Sequence, residues 1–173
     1  MVIWLVGMSG VGKTTIGNNL YEQASLEFNN IVKVDGDIMR SIFRDENESK
    51  SYSIESRYKN AKRIQEICLW LDNQGINVIC SILCIFPELL KENISLFNNY
   101  YEVYLDAAIE ELERRDTKGF YAKAKSGEIK DFVGFDINFP IPENSNLNLR
   151  TDQGDSVIEL SELIYEKIKI NLR

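Results

Sequence analysis

The order of hydrophobic and polar positions predicts strands that alternate with helices along the whole chain. Residues 2–6 form a short apolar run that a glycine follows, which is typical of a fully buried strand. Apolar residues recur three or four positions apart from Ile54 to Asn73, which predicts a long helix that ends before Gly75. We predict further strands at 31–34, 77–83, 101–105 and 147–149, and further helices at 13–23, 87–97, 107–114 and 155–172.

Such alternation favours a parallel sheet that is covered by helices on both faces. We therefore predict an α/β protein with a five-stranded parallel sheet. The length of 173 residues suits one domain, so a single domain over 1–173 is expected. Residues 115–146 show neither the helical nor the strand period of apolar residues, and we expect them to form the mobile or ligand-facing part.

Composition narrows the chemistry and the partners. The absence of histidine excludes imidazole bases and nucleophiles that depend on them. A net charge of −7 disfavours nucleic acid and anionic membranes as partners, and no apolar run is long enough to span a bilayer. The three cysteines are typical of reduced thiols, so we expect a cytoplasmic protein.

A phosphate-binding loop follows the first predicted strand. Residues 7–14 read GMSGVGKT, which matches the pattern G-x-x-x-x-G-K-[ST] and opens a predicted helix. Backbone N–H groups in such a loop turn inward around phosphate oxygens, and the helix N-terminus adds positive charge. We expect Lys13 to contact the β- and γ-phosphates of ATP and Thr14 to bind Mg²⁺. The expected ATP-binding residues of this loop are Ser9, Gly10, Val11, Gly12, Lys13, Thr14 and Thr15.

This motif predicts the P-loop NTPase fold, but it is shared by several classes of protein. GTPases carry a base-reading N-K-x-D segment, which is not visible in this chain. ATPase motors are larger. The length therefore favours a small kinase that acts on a nucleotide or another metabolite.

Two carboxylates and a guanidinium follow the second predicted strand. Because ligands bind at the carboxyl ends of parallel strands, Asp35, Asp37 and Arg40 are expected near the phosphates. Asp35 is predicted as general base and as metal ligand beside Thr14, while Asp37 would orient the acceptor. Arg40 would hold an acceptor phosphate through its planar guanidinium. An ordinary Asp-Gly turn with a helix cap is the alternative, and the base could also be Asp37.

A basic segment follows the fourth predicted strand. Between residues 114 and 130, six basic residues stand against two acidic ones. We predict a basic lid at about 115–135 that closes over the triphosphate and excludes water, with Arg115 and Lys118 reaching it. The alternative is a solvated helix face, above all for Lys123 and Lys125.

Six segments of the chain together resemble adenylyl-sulfate kinase. The most specific is RDTKGFYAKAKSGEIK at 115–130, because the phosphate-binding loop alone is generic. The others occur in family order over almost the whole chain and read GMSGVGKTT at 7–15, DGDIMR at 35–40, YSIESRYKNAKR at 52–63, FVGFD at 132–136 and LNLRT at 147–151.

The resemblance implies transfer of the γ-phosphoryl group of ATP to the 3′-hydroxyl of a nucleotide, with ATP and Mg²⁺ as cofactors. It implies that Arg115 and Asp116 lie near the ATP adenine and Lys118 lies over the transferring phosphate. The residues that it assigns to the acceptor are Arg40, Arg57 and Asn60 around the 5′-phosphate and its substituent, and Tyr52 and Phe132 on either side of the base. Arg57 and Asn60 are three positions apart on a predicted helix and so share a face. The resemblance is also compatible with a homodimer.

The chain departs from the family pattern where the acceptor base is recognised. Ile38 replaces the usual asparagine after D-G-D, and ILCIFP at 82–87 replaces a loop close to F-I-S-P-Y-R. Adenylyl sulfate is the first expected acceptor. Cytidine diphosphoramidate, a nucleotide of capsule polysaccharide modification, is the alternative. A non-catalytic nucleotide-binding domain and a kinase of a non-nucleotide metabolite are two further alternatives.

Overall fold

The computed structural model describes residues 1–43, 53–117 and 119–172. Its sheet has five parallel strands in the order β2-β3-β1-β4-β5, which confirms the predicted α/β class. The strands are β1 (Val2–Val6), β2 (Ile31–Asp35), β3 (Asn77–Ile82), β4 (Tyr100–Asp106) and β5 (Leu147–Arg150). The central strand β1 therefore delivers the phosphate-binding loop to the middle of the sheet.

Helices connect these strands and cover the sheet. They are α1 (Lys13–Ala24), α2 (Gly36–Ile42), α3 (Ile54–Asn73), α4 (Pro87–Leu96), α5 (Ile109–Arg114), α6 (Phe120–Lys125) and α7 (Val157–Ile168), which a 3₁₀ turn, Lys169–Asn171, follows. None of the helices in the described ranges is long and apolar enough to cross a membrane.

The two faces of the sheet are buried against different helices. Ile3 and Leu5 of β1 belong to the core cluster that α1 and α7 complete, with Ile16 and Ile164 among its members. Val2, Trp4 and Val6 belong to the other cluster, which α3 and α4 cover. Successive side chains of a strand point to opposite faces. Both faces of β1 are apolar for that reason, and its sequence reads as a continuous hydrophobic run.

Helix α3 departs from its predicted apolar face over its first two turns. Ile54 and Tyr58 are exposed, although they continue the apolar spacing of the helix. Arg57 and Asn60 are buried instead, on the side that faces the ligand-binding end of the sheet. The apolar face begins only at Ala61, so the start of α3 is shaped by a polar site rather than by the core.

Two short helices were not predicted from the sequence pattern. Helix α2 begins directly after β2, where Asp35 caps it, and α6 lies inside the segment that fits no period. Helix α5 begins at Ile109 rather than at the predicted residue 107. Helix α2 buries no residue and α6 buries only Tyr121 and Ala124, so neither shows an apolar period over several turns.

Candidate active site

A cavity of about 550 Å³ opens at the carboxyl ends of β1, β2 and β3. It brings together segments that are far apart in the sequence: the phosphate-binding loop, the start of α2, the first turns of α3 and the lid segment. The predicted site residues that line it are Ser9, Gly10, Gly12, Lys13, Thr14, Thr15, Asp35, Asp37, Arg40, Arg57, Asn60, Arg115, Asp116 and Phe132.

Val11 is the predicted site residue that does not line the cavity among those that the structure describes. Val11 has a buried side chain that packs in the core, and its N–H donates to the Met8 carbonyl at 3.4 Å. Tyr52 and Lys118 lie outside the described residues. The roles expected of those two residues therefore stay predictions from the sequence.

Close packing and unusual backbone angles explain the glycines of the loop. A Cβ at Gly7 would lie 2.3 Å from the Leu105 carbonyl oxygen, which is far inside contact distance. Gly10 and Gly12 have φ of 80° and 100°, in the region that side chains disfavour. The sequence needs glycine here to bring the loop against β4 and to turn its amides inward.

Lys13 bends back over the loop that precedes it. Its ammonium group donates hydrogen bonds to the carbonyl oxygens of Gly7 at 2.9 Å and Met8 at 2.7 Å. Burial lowers the pKa of Lys13 to about 8, although Asp37 and Asp35 act in the opposite direction. Burial therefore disfavours the charged form of Lys13, and an anion bound beside it would stabilise that form.

Asp35 connects the phosphate-binding loop to the second strand. Its Oδ2 accepts a 2.7 Å hydrogen bond from the Thr14 hydroxyl. Its Oδ1 accepts from the N–H groups of Asp37 at 2.9 Å and Ile38 at 3.3 Å, so it also caps α2. Asp37, one residue into that helix, is exposed at the cavity.

The hydroxyl and the carboxylate of this pair fit a magnesium ion. Hard oxygen atoms are the ligands that Mg²⁺ prefers, and it commonly keeps water and substrate phosphates as its other ligands. No group of three His, Cys, Asp or Glu that could hold a metal occurs in the described ranges. Thr14 and Asp35 would therefore supply only part of such an ion's ligands.

Polar side chains of α2 and α3 line the opposite part of the cavity. The Arg40 guanidinium donates to the Ser56 hydroxyl at 3.3 Å, and the Asn60 amide donates to the Gly36 carbonyl at 3.3 Å. Arg57 donates to the Asp131 carbonyl at 2.9 Å. These contacts hold the two helices and the lid segment in one polar wall.

The start of the lid segment is anchored on the end of the sheet. Arg115 donates to Glu111 at 2.6 Å, to the Thr151 hydroxyl at 3.0 Å and to the Thr151 carbonyl at 2.7 Å. The Asp116 carboxylate accepts a 2.7 Å bond from the N–H of Tyr121. The structure thus places both predicted residues at the cavity with defined orientations.

Other basic residues of the lid pair with carboxylates. Lys125 lies 2.6 Å from Glu113, and Lys123 lies 3.7 Å from Glu128. Arg114 makes a 2.7 Å ion pair with Glu111. None of these three cations lines the cavity. Lys123 and Lys125 are exposed, which agrees with the alternative of a solvated helix face that the sequence analysis gives for them.

Tyr121 and Ser81 are among the cavity-lining residues to which the sequence analysis assigns no role. The Tyr121 hydroxyl donates to the Ser9 carbonyl at 3.0 Å and joins the lid to the phosphate-binding loop. The Ser81 hydroxyl donates to the Lys13 carbonyl at 3.2 Å. For Tyr121 the only sequence signal is its place in the basic segment, and for Ser81 it is a polar residue within an apolar strand.

The loop that departs from the family pattern reaches the cavity at its start only. Ile82 and Leu83 line the cavity. Cys84 is fully buried in the core, and Phe86 packs edge-on against Tyr58 at 5.0 Å between ring centres. Leu83 is therefore the residue of 83–86 that lies at the cavity wall.

Comparison with known proteins gives the family. A sequence model described as Adenylylsulphate kinase matches residues 1–150. The cytidine diphosphoramidate kinase of Campylobacter jejuni is 37% identical over 169 residues, which cover 98% of this chain and 96% of that protein. The adenylyl-sulfate kinase of a Picosynechococcus species is 34% identical over 169 residues, which cover 98% and 92%.

Solved structures agree with the fold. The Mycobacterium tuberculosis APS kinase CysC, in complex with AMPPNP and APS, matches with a TM-score of 0.84 and 27% identity over 97% of this chain and 96% of that one. Shikimate kinase from Aquifex aeolicus matches with a TM-score of 0.61 and 18% identity over 99% and 97%, and it shares the fold.

Proposed function

The chain belongs to the adenylylsulphate kinase family, and on that premise we propose that it transfers the γ-phosphoryl group of ATP to the 3′-hydroxyl of a nucleotide. The observation that carries the proposal is one cavity in which the phosphate-binding loop meets the carboxylates of Asp35 and Asp37 and the arginines of α2 and α3. Donor and acceptor would meet there, because each end of the cavity offers cationic groups suited to an anion.

ATP would bind along the phosphate-binding loop. The amides of 9–15 and the start of α1 would surround the β- and γ-phosphates, and Lys13 would lie against them. Arg115 and Asp116 would border the adenine, and Lys118 would lie over the transferring group. Mg²⁺ beside Thr14 and Asp35 would offset the charge of the phosphates when bound.

The reaction needs a group that takes the proton of the attacking hydroxyl. The 3′-oxygen forms a bond to the γ-phosphorus, the bond to the β,γ-bridging oxygen breaks, and ADP leaves. Asp35 already accepts three hydrogen bonds, of the roughly four that a carboxylate can accept. This favours Asp37 as the proton acceptor and gives Asp35 a metal-binding and positioning role, with Asp35 as base the alternative.

The acceptor would bind between α2, α3 and the lid. Arg40, Arg57 and Asn60 would bind its 5′-phosphate and the anionic or polar substituent of that phosphate. Phe132, which lines the cavity, would stack on its base, with Tyr52 on the other face. Adenylyl sulfate is the first proposed acceptor, in keeping with the relatives that carry this name.

Cytidine diphosphoramidate is the second candidate acceptor. A relative that is 37% identical over nearly the whole chain bears the name of that activity. The cavity wall also carries Ile82 and Leu83, the start of the loop that departs from the family pattern. A remodelled wall beside retained arginines suits a changed base and an unchanged anionic group.

Turnover of each nucleotide tests the proposal. The chain is incubated with ATP, Mg²⁺ and either adenylyl sulfate or cytidine diphosphoramidate, and the products are resolved by ³¹P NMR. We expect ADP and a 3′-phosphorylated nucleotide in equal amounts from one of them. The 3′-deoxy form of the same acceptor is the matched control and should give no product. Failure of both acceptors, or turnover of the deoxy form, would contradict the proposal.

A further inference from the structure

We propose that Asp136 is a positioning residue of the acceptor site, an inference that rests on the proposed function. Its carboxylate accepts hydrogen bonds from two successive backbone N–H groups, those of Asp131 at 2.7 Å and Phe132 at 2.5 Å. It thereby holds the segment 131–137, which we call the clamp loop. Hydrogen bonds to an ionised acceptor are the stronger kind, so one side chain can fix this loop.

The clamp loop contains an unusual backbone conformation. Asp131 has φ of 59°, and within the described ranges no other residue except glycine has a positive φ. This left-handed region is disfavoured for residues with a side chain, so surrounding contacts must hold it. The chain also folds back on itself, because the Phe132 carbonyl accepts from the N–H groups of Asp136 at 3.1 Å and Ile137 at 3.2 Å.

One peptide group links Asp136 to the acceptor site. The N–H of Phe132 and the carbonyl of Asp131 belong to the same planar peptide unit. Asp136 holds the N–H end, while the carbonyl end accepts the 2.9 Å hydrogen bond from Arg57. Rotation of that peptide unit would turn the carbonyl away from Arg57. The carboxylate of Asp136 therefore fixes the guanidinium that we propose binds the acceptor's phosphate.

The same clamp sets the position of Phe132. Its ring is buried, lines the cavity and packs edge-on against Tyr121 with 4.8 Å between ring centres. Because Asp136 holds the backbone N–H of Phe132, loss of that bond would free the residue that is proposed to stack on the base. Asp136 thus acts on both the phosphate end and the base end of the acceptor while itself remaining exposed.

Substitution of Asp136 separates positioning from simple stability. The Asn side chain has the same shape, but its amide nitrogen cannot accept the second N–H group. For Asp136→Asn we expect the acceptor KM to rise roughly tenfold, with the KM for ATP within about twofold of wild type. Asp136→Ala should raise the acceptor KM further. A role confined to stability would lower the amount of active enzyme and leave both KM values unchanged.

A charge-matched control lies in the same lid. Glu128 is exposed and lies 3.7 Å from Lys123, so Glu128→Gln removes one carboxylate without touching the clamp loop. It should leave both KM values unchanged. An acceptor KM for Asp136→Asn equal to that of Glu128→Gln, or an equal rise in the KM for ATP, would overturn the positioning role.

A measurement without turnover distinguishes this inference from the proposed function. Calorimetric titration gives the dissociation constant of adenylyl sulfate and of cytidine diphosphoramidate in the presence of a non-hydrolysable ATP analogue. If wild type binds a nucleotide without phosphorylating it, the proposed function is wrong, and weaker binding by Asp136→Asn alone would still support the clamp. If wild type and Asp136→Asn bind both nucleotides equally, or bind neither, the clamp inference fails.

Discussion

Thr14 and Asp35 are joined by a 2.7 Å hydrogen bond, although 21 positions separate them in the sequence. The bond ties the first turn of α1 to the carboxyl end of β2. Because Asp35 also accepts from two amides of α2, one carboxylate fixes the ends of three elements at the cavity. Its removal is therefore expected to affect both the chemistry and the local fold, and substitutions can separate the two.

Asp35→Asn is expected to inactivate the enzyme without unfolding it. Asn caps a helix about as well as Asp, so the free energy of unfolding should change by less than about 0.5 kcal/mol. The loss of the negative charge should lower kcat by roughly 10²-fold or more. Asp35→Ala should be equally inactive and less stable by about 1 kcal/mol, because it also loses the cap. Urea unfolding and steady-state kinetics measure the two effects.

The matched variant Asp37→Asn decides which carboxylate is the base. If Asp37 takes the proton, its replacement should lower kcat by roughly 10²-fold or more and leave the Mg²⁺ concentration for half-maximal activity unchanged, while Asp35→Asn should raise that concentration. The opposite result would return the base to Asp35.

The charge state of Lys13 should link ATP binding to pH. Burial lowers the pKa of Lys13 to about 8 from 10.5, and a bound triphosphate should raise it again. ATP affinity should therefore fall as the pH rises through about 8, and binding there should take up a proton. Titration calorimetry in buffers of different ionisation enthalpy measures that proton, and a value of zero would contradict the expectation.

Without ATP, the free energy of unfolding should rise over the pH range in which the ATP affinity falls. Because the folded pKa of Lys13 lies below its unfolded value, the unfolded chain binds more protons between about pH 8 and 10.5. Lys13 should thus make the free energy of unfolding rise with pH in this window. Lys13→Met should remove this contribution and, in assays, abolish turnover. If the difference in the free energy of unfolding between wild type and Lys13→Met stayed constant with pH, the pKa of Lys13 would not be lowered.

The long elements and the phosphate side of the site were predictable, because local rules determine them. An apolar run before Gly7 and the G-x-x-x-x-G-K-T spacing suffice for β1, the loop and α1. Helices α2 and α6 were missed, because Asp35 and the lid contacts of Tyr121 stabilise them rather than an apolar period. Such contacts join residues whose separation in the sequence carries no signal.

Helix α3 shows the same limit within one element. Its period correctly predicts burial of Ala61 and Ile64 but would also bury Ile54 and Tyr58, which are exposed. Arg57 and Asn60 line the cavity, and the apolar residues of the first turns therefore face solvent. The pairing of Lys123 and Lys125 with carboxylates likewise depends on the fold of the lid segment. Composition alone does not predict that fold.

Tyr121→Phe should loosen the lid from the phosphate-binding loop. The substitution removes the 3.0 Å hydrogen bond to the Ser9 carbonyl and keeps the ring against Phe132. A single hydrogen bond contributes about 1 kcal/mol, so the free energy of unfolding should fall by that order. Faster amide hydrogen exchange in 120–125 should accompany it. Tyr165→Phe on α7, remote from the cavity, is the control; equal exchange in the two variants would contradict the tether.

Different residues of the cavity should recognise the phosphate and the base of the acceptor. Arg57 is buried at the cavity and is proposed to bind the anionic 5′ group, which both candidate acceptors share. Arg57→Ala should therefore lower kcat/KM for adenylyl sulfate and cytidine diphosphoramidate by similar factors, roughly 10- to 100-fold.

Leu83 should act on the ratio between the two acceptors instead. Leu83 lines the cavity, whereas Cys84 is fully buried away from it, so the two neighbours form a matched pair. Leu83→Ala should change the ratio of the two kcat/KM values about tenfold, the scale of a few methylene groups in a binding pocket. Cys84→Ser should lower stability and leave that ratio unchanged. If Leu83→Ala changed kcat/KM by the same factor for both acceptors, Leu83 would not contribute to recognition of the base. The departure of this loop from the family pattern would then no longer favour a cytidine acceptor.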